Sequence, residues 1–67
     1  MIQLSSQWKH KKTKKKYVVT ESATLKHTNE ELDGAEVVIY VESGKQKKYV
    51  RLQSEFEESF EEIQPQW

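Results

Sequence analysis

At 67 residues, with 34% hydrophobic and 33% charged side chains, the chain has room for one domain over residues 1–67, with an ordered core expected over residues 8–63. One core this small leaves no volume for a large catalytic cleft, and 11 basic residues against 11 acidic ones leave no whole-molecule field to draw in nucleic acid or an anionic membrane. The absence of cysteine excludes a disulfide framework, thiolate zinc sites and cysteine nucleophiles, and makes a reducing cytoplasm the expected location.

The first feature in chain order is basic. Lys9, Lys11, Lys12, Lys14, Lys15 and Lys16 crowd together, flanked or interleaved by Trp8, His10 and Tyr17. Positive charge beside rings is the combination that single-strand binders use, charge on phosphates and rings on bases. The same lysines also serve to keep a sheet edge unpaired and soluble, in which case Trp8 is a lid on the core. From Tyr17 to His27 the residues alternate: Tyr17, Val19, Ala23 and Leu25 share one face, and Val18, Thr20, Ser22, Thr24 and Lys26 the other. Such alternation predicts a half-buried strand. Glu21 falls on the inward face, where an unpaired charge is costly, so a bend is expected near Glu21-Ser22, with two short strands as an alternative to one. Thr28 and Glu31 then have capping-box spacing and Asp33-Gly34 has turn chemistry, which fits one helical turn or an ordered loop.

Val37-Val38-Ile39-Tyr40-Val41 is an unbroken β-branched and aromatic run, as in a central strand covered on both faces. It is also the longest apolar run, far short of the roughly 20 residues a membrane helix needs, so no membrane partner is expected. Glu42 to Gln46 supplies a reversal containing Gly44, and Lys48 to Leu52 returns as the second arm of a hairpin. In this reading Val50 and Leu52 face the core, and Tyr49 and Arg51 face away. Beyond it, Phe56, Phe60 and Ile63 recur at helical spacing, and Ser54 with Glu57 makes a second capping box, which read locally gives one short amphipathic helix. Pro65 ends regular structure, leaving Pro65-Gln66-Trp67 as a frayed tail or a docked aromatic.

Taken in order, Trp8-Lys9-His10-Lys11-Lys12, Tyr17-Val18-Val19, Ala23, His27-Thr28-Asn29-Glu30-Glu31-Leu32, Val37-Val38-Ile39-Tyr40, Tyr49-Val50-Arg51 and Phe56 form a recognisable series. The series resembles an uncharacterised bacterial or bacteriophage domain-of-unknown-function family of small SH3-like barrel modules, over Trp8 to about Ile63. The chain departs from that family's pattern at Thr13 (glycine), Tyr49 (tryptophan) and Leu52 (proline), and in a longer loop before Val37. The resemblance implies a mainly β fold, an SH3-like barrel of about five short strands. It also implies a one-turn helix at Ser54 to Glu58, then a final strand from Phe60 in place of a continuous helix. It carries no activity.

The expected core is Trp8, Tyr17, Val19, Leu25, Val37, Ile39, Val41, Val50, Leu52, Phe56 and Phe60. His10 and His27, with Glu30 or Glu31, are the residue types of a metal or acid–base site, but no spacing unites them, and backbone hydrogen bonds account for both. Glu55, Glu57, Glu58, Glu61 and Glu62 read as a solvated acidic face opposite the lysines in charge, and no Gly-rich phosphate loop or nucleophile elbow is present. The expectation is a non-enzymatic binding module without cofactor or metal, monomeric or weakly self-associating, that contacts a protein partner. The alternative is weak, sequence-indifferent nucleic-acid binding through the lysines. The candidate surface is Trp8, Lys9, His10, Lys11, Lys12, Lys14, Lys15, Lys16, Tyr49 and Arg51.

Overall fold

In the computed structural model, which describes residues 2–63, the chain forms β1 (Gln7–His10), β2 (Lys16–Thr24), β3 (Glu36–Glu42), β4 (Lys48–Leu52), α1 (Gln53–Ser59) and β5 (Phe60–Glu62). The Pro65-Gln66-Trp67 tail lies outside the described residues. All five strands pair antiparallel in one sheet of order β4-β3-β2-β1-β5, with α1 carrying the chain from one edge strand to the other. This is the small mainly β arrangement of an SH3-like barrel, left open because β4 and β5 share no ladder. Side chains bridge the gap: the Arg51 guanidinium lies 5.5 Å from the Phe60 ring centroid and its Nη1 donates to Ser59 Oγ at 3.4 Å. Among the described residues, no helix is long and apolar enough to cross a membrane.

Aromatic residues carry the core. Trp8, Val19, Val38, Tyr40, Phe56 and Phe60 form one buried cluster, with Ile2 and Tyr17 packed against it. Phe56 and Phe60 stack with centroids 4.3 Å apart, and Trp8 meets Phe56 edge-on at 5.0 Å. The Trp8 indole keeps its polar edge satisfied by donating from Nε1 to Ser6 Oγ at 2.8 Å. Seven residues are too few for a helix to hold alone, since isolated helices become marginal only at ~12–15, so the burial of Phe56 holds α1 in place. The expected Ser54 capping box is absent; Leu52 is the N-cap, without a side-chain cap bond, and Gln53 Nε2 donates to Glu57 Oε1 at 3.2 Å. The chain leaves the helix at Phe60 rather than running on to Ile63. As a strand, β5 exchanges hydrogen bonds with β1 while Phe60 still stacks on Phe56, which a continuous helix could not combine. The helix is somewhat longer than the single turn expected, about two turns at 3.6 residues each.

The hairpin of β3 and β4 forms where the sequence placed it, but its faces are reversed. Val38 and Tyr40 point into the core, at 0% and 4% exposure, while Val50 on β4 is 64% exposed. Ile39 and Val41 are half-buried, and Val37 is buried outside the main cluster, alongside Leu52 and Ala23 in the register. An unbroken β-branched run has no polar position to mark its outer face, so alternation cannot choose between its two parities. Ring area decides it: with Tyr40 inward, the core gains contacts to Tyr17, Phe56 and Phe60. Tyr40 pairs with Tyr49 and Val38 with Arg51, which puts Tyr49 and Arg51 on the barrel side as well.

In β2 the conflict at Glu21 is resolved by a bulge. Val19 pairs with Tyr40 and Glu21 with Ile39, so Thr20 is the extra residue, one position before the expected bend, and the strand stays continuous. Its hydroxyl donates to the Ile39 carbonyl at 3.2 Å. The shift exchanges the faces beyond it, carrying Glu21 outward, where its carboxylate meets Lys48 at 3.4 Å. Ala23 is exposed and Leu25 only half-buried as a result. The β2–β3 connection is an ordered loop, without a capping box at Thr28. Asn29 accepts the Glu31 N–H on Oδ1 at 2.9 Å, Asp33 accepts the His27 N–H on Oδ1 at 3.0 Å, and Gly34 takes φ +85°, which glycine adopts without strain.

Candidate functional site

The β1–β2 turn is organised by His10. Its Nδ1 accepts the backbone N–H of Lys12 at 3.1 Å and of Thr13 at 3.2 Å, and its ring stands edge-on to Phe60 at 4.9 Å. Lys14 closes the turn in the left-handed region, at φ 65°, donating its N–H to the His10 carbonyl at 2.9 Å. His10 thus has a structural task that alanine cannot perform. His10→Ala is expected to lower stability by about 1–2 kcal/mol, the cost of two amides losing their acceptor in a partly solvated turn, read from chemical denaturation. His27 accepts the Asn29 N–H on Nδ1 at 2.9 Å in the β2–β3 loop, a different element from His10.

Facing this turn across the barrel is the inner side of the hairpin, and between them lies a concave pocket. It is lined by His10, Thr13, Lys15, Tyr17, Tyr40, Glu42, Tyr49, Arg51 and Phe60. Its walls are interlocked rings: Tyr17 meets Tyr40 at 5.5 Å and Phe60 at 5.3 Å, both nearly perpendicular, and Tyr49 lies tilted on Tyr40 at 5.7 Å. Arg51 is pinned on the Phe60 side, its Nε donating to the Tyr40 hydroxyl at 3.3 Å. Tyr49 is 39% exposed at the rim, with Lys47 Nζ 5.6 Å from its ring centroid.

Burial holds the Tyr17 phenol pKa above its ordinary range, and the charge of Glu42 and the neighbouring Tyr40 and Tyr49 add to the rise against the opposing pull of Arg51. A raised folded-state pKa means stability that is complete below the unfolded value, about 10, and is lost as pH rises through the folded one. Thermal melts taken on either side of pH ~10 should therefore show a fall in midpoint that is smaller in Tyr17→Phe.

Of the sequence-predicted surface, the pocket brings together His10, Lys15, Tyr49 and Arg51. Lys11 and Lys12 border a neighbouring recess with Glu58 and Ser59, and Lys14 and Lys16 are exposed. Lys9 pairs with Glu61 at 3.4 Å, across a β1–β5 register that sets the lysine and glutamate blocks side by side. Trp8 is a correction: at 8% exposure, packed on Phe56, it is part of the core and offers no face for stacking. Phe60, read from sequence as core only, and Tyr17, read both as core and as a ring flanking the lysines, also wall the pocket, and Tyr40 and Glu42 were not assigned to it. The signal for Tyr40 was present, since a hairpin reversing around Gly44 sets Tyr40 opposite Tyr49. Comparison with family models, curated proteins and solved structures finds no match to the chain.

Proposed function

We propose that the chain is a non-enzymatic binding module that contacts a protein partner through this pocket. The observation that carries the reading is that the exposed Tyr49 and Lys15 and the half-buried Arg51 and His10, from the hairpin and from the β1–β2 turn, converge on one concave surface walled by aromatic rings. Concave sites that set charged groups among aromatic rings give a partner's side chains both apolar contact and orientation. The likeness of Trp8 to Ile63 to the uncharacterised family of SH3-like modules, bacterial or bacteriophage and cytoplasmic, belongs to the same proposal. Panning a displayed random-peptide library against the immobilised chain tests it. Peptides should be enriched whose binding is lost in Tyr49→Ala, a rim substitution the fold should tolerate. Enrichment indifferent to Tyr49→Ala would sink the reading.

A second reading rests on Lys11, Lys12, Lys14, Lys15 and Lys16, which are all exposed and form no ion pair among the described residues. They suit weak, sequence-indifferent contact with a nucleic-acid backbone, though with Trp8 buried they do so without its stacking ring. If about four phosphates are neutralised, log affinity for a single-stranded probe should fall with log salt at a slope of roughly −3. Replacing Lys14, Lys15 and Lys16 by Gln should flatten the slope in gel shifts at two salt concentrations. No shift at ~50 mM salt would leave the lysines a solubilising and edge-protecting role.

A further inference from the structure

We propose, resting on the protein-binding reading, that Arg51 is the receptor for a carboxylate side chain of the bound peptide, with Tyr49 packing the apolar residue next to it. Arg51 is half-buried, and both groups that hold it, the Tyr40 and Ser59 hydroxyls, are neutral. Among the described residues the ion pairs are Lys9–Glu61 and Lys48–Glu21, so no described carboxylate neutralises Arg51. Glu42, the one acid lining the pocket, makes no ion pair with it; Lys15 lies on the same lining and Lys47 sits above Tyr49.

A guanidinium has five N–H donors in a rigid planar fork, and the two bonds to Tyr40 and Ser59 fix its plane while leaving donors on Nη1 and Nη2 unused. Such a fork matches a carboxylate with two parallel hydrogen bonds, and because it is already oriented, little side-chain freedom is lost on binding. The Phe60 ring, its centroid 5.5 Å from the Arg51 guanidinium carbon, adds a cation–π contact that helps hold the group in place. The occupant that fits is an acidic residue beside an aromatic or large aliphatic one. The acidic face of Glu55, Glu57, Glu58, Glu61 and Glu62 adjoins the lysine turn and repels a polyanion more than a single carboxylate.

Arg51 is the only arginine in the sequence, so its Nε–Hε signal is unique in a nitrogen-15 correlation spectrum. The labelled wild-type chain is titrated with acetyl-Gly-Glu-Tyr-Leu-Gly-amide, with the same peptide carrying Gln in place of Glu, and with an octathymidylate. The expected result is a shift of the Arg51 Nε–Hε and Tyr49 signals with the acidic peptide, at an affinity about tenfold above the Gln peptide, the range of one charge-assisted pair. Equal affinity of the two peptides, with shifts at Tyr49, overturns the carboxylate receptor and leaves the protein-binding reading standing. A larger Arg51 shift with the octathymidylate overturns it in favour of phosphate. If neither peptide moves any pocket signal, both proposals fall. Arg51→Gln, which removes the charge, should abolish the preference between the peptides, and Arg51→Lys, which keeps the charge and loses the fork, should reduce it. An undiminished preference in Arg51→Gln, checked for its native spectrum, overturns Arg51 as the receptor, and an undiminished one in Arg51→Lys counts against the fork.

Discussion

Phe56→Ala should remove about 3–5 kcal/mol of stability, a loss that leaves little folded chain. Phe56 is fully buried, stacked on Phe60 at 4.3 Å, met edge-on by Trp8 and packed against a tilted Tyr40, both at 5.0 Å. It is also the one buried residue of α1, so the cavity it leaves removes the contact that holds the helix between the edge strands. A domain of this size sits near the bottom of the usual ~5–15 kcal/mol range, so the variant should populate the unfolded state without denaturant. Far-ultraviolet circular dichroism with a urea titration reads this directly. A midpoint displaced by less than about 1 kcal/mol would mean that the core closes without the helix.

The second large effect tests which face of the hairpin is inside. Val38→Asp should abolish folding, because forcing a carboxylate into a fully buried position costs several kcal/mol even with Arg51 as its cross-strand neighbour. Val50→Asp, twelve positions on and in the same hairpin, should change stability by no more than about 0.5 kcal/mol, because its side chain already faces water. The opposite ranking would restore the parity read from alternation alone, with Val50 inward and Val38 outward. Thermal melts of the two variants decide it.

The comparison shows what kind of information this sequence holds. Strand existence was legible at β2, β3 and β4 because β-branched residues, Gly44 and the Glu42–Gln46 reversal act locally. The order Phe56, turn, Phe60 was legible only through the family resemblance, since local spacing favoured a helix through Ile63. Side-chain direction was read correctly in β2 before Thr20, where Tyr17 and Val19 do face the core, and was illegible in Val37–Val41, where nothing alternates. That single ambiguity propagated: with Val50 assumed inward, Tyr49 and Arg51 were assigned to an outer surface, whereas they line the barrel's own mouth. Four members of the predicted surface nonetheless converge on the pocket, because Lys, Arg and half-exposed rings collect wherever a small barrel has an opening. Trp8 does not, since a ring of that size flanking a core strand stabilises more when buried than when left in solvent.

The bulge at Thr20 redirects Glu21 and leaves Glu21–Thr24 exposed on β2, while the β3 partners Val37 and Val38 stay buried; β4 ends opposite Val37, so the Thr24–Glu36 pair alone leads into the loop that begins at Leu25. That loop is fastened at its neck by the backbone pair of Leu25 with Gly34 and Ala35, at 2.8 Å each, and inside by bonds from its own Asn29 and Asp33. Leu32 and Ala35 border a recess shared with Leu52 and α1, so the base of the loop rests on the fold, while lengthening its tip should cost only about 0.6 kcal/mol per doubling. The chain has two separate ends: one carries the pocket, and the other presents residues 28–31, where sequence grafted around a retained Asn29 should leave the pocket lining untouched.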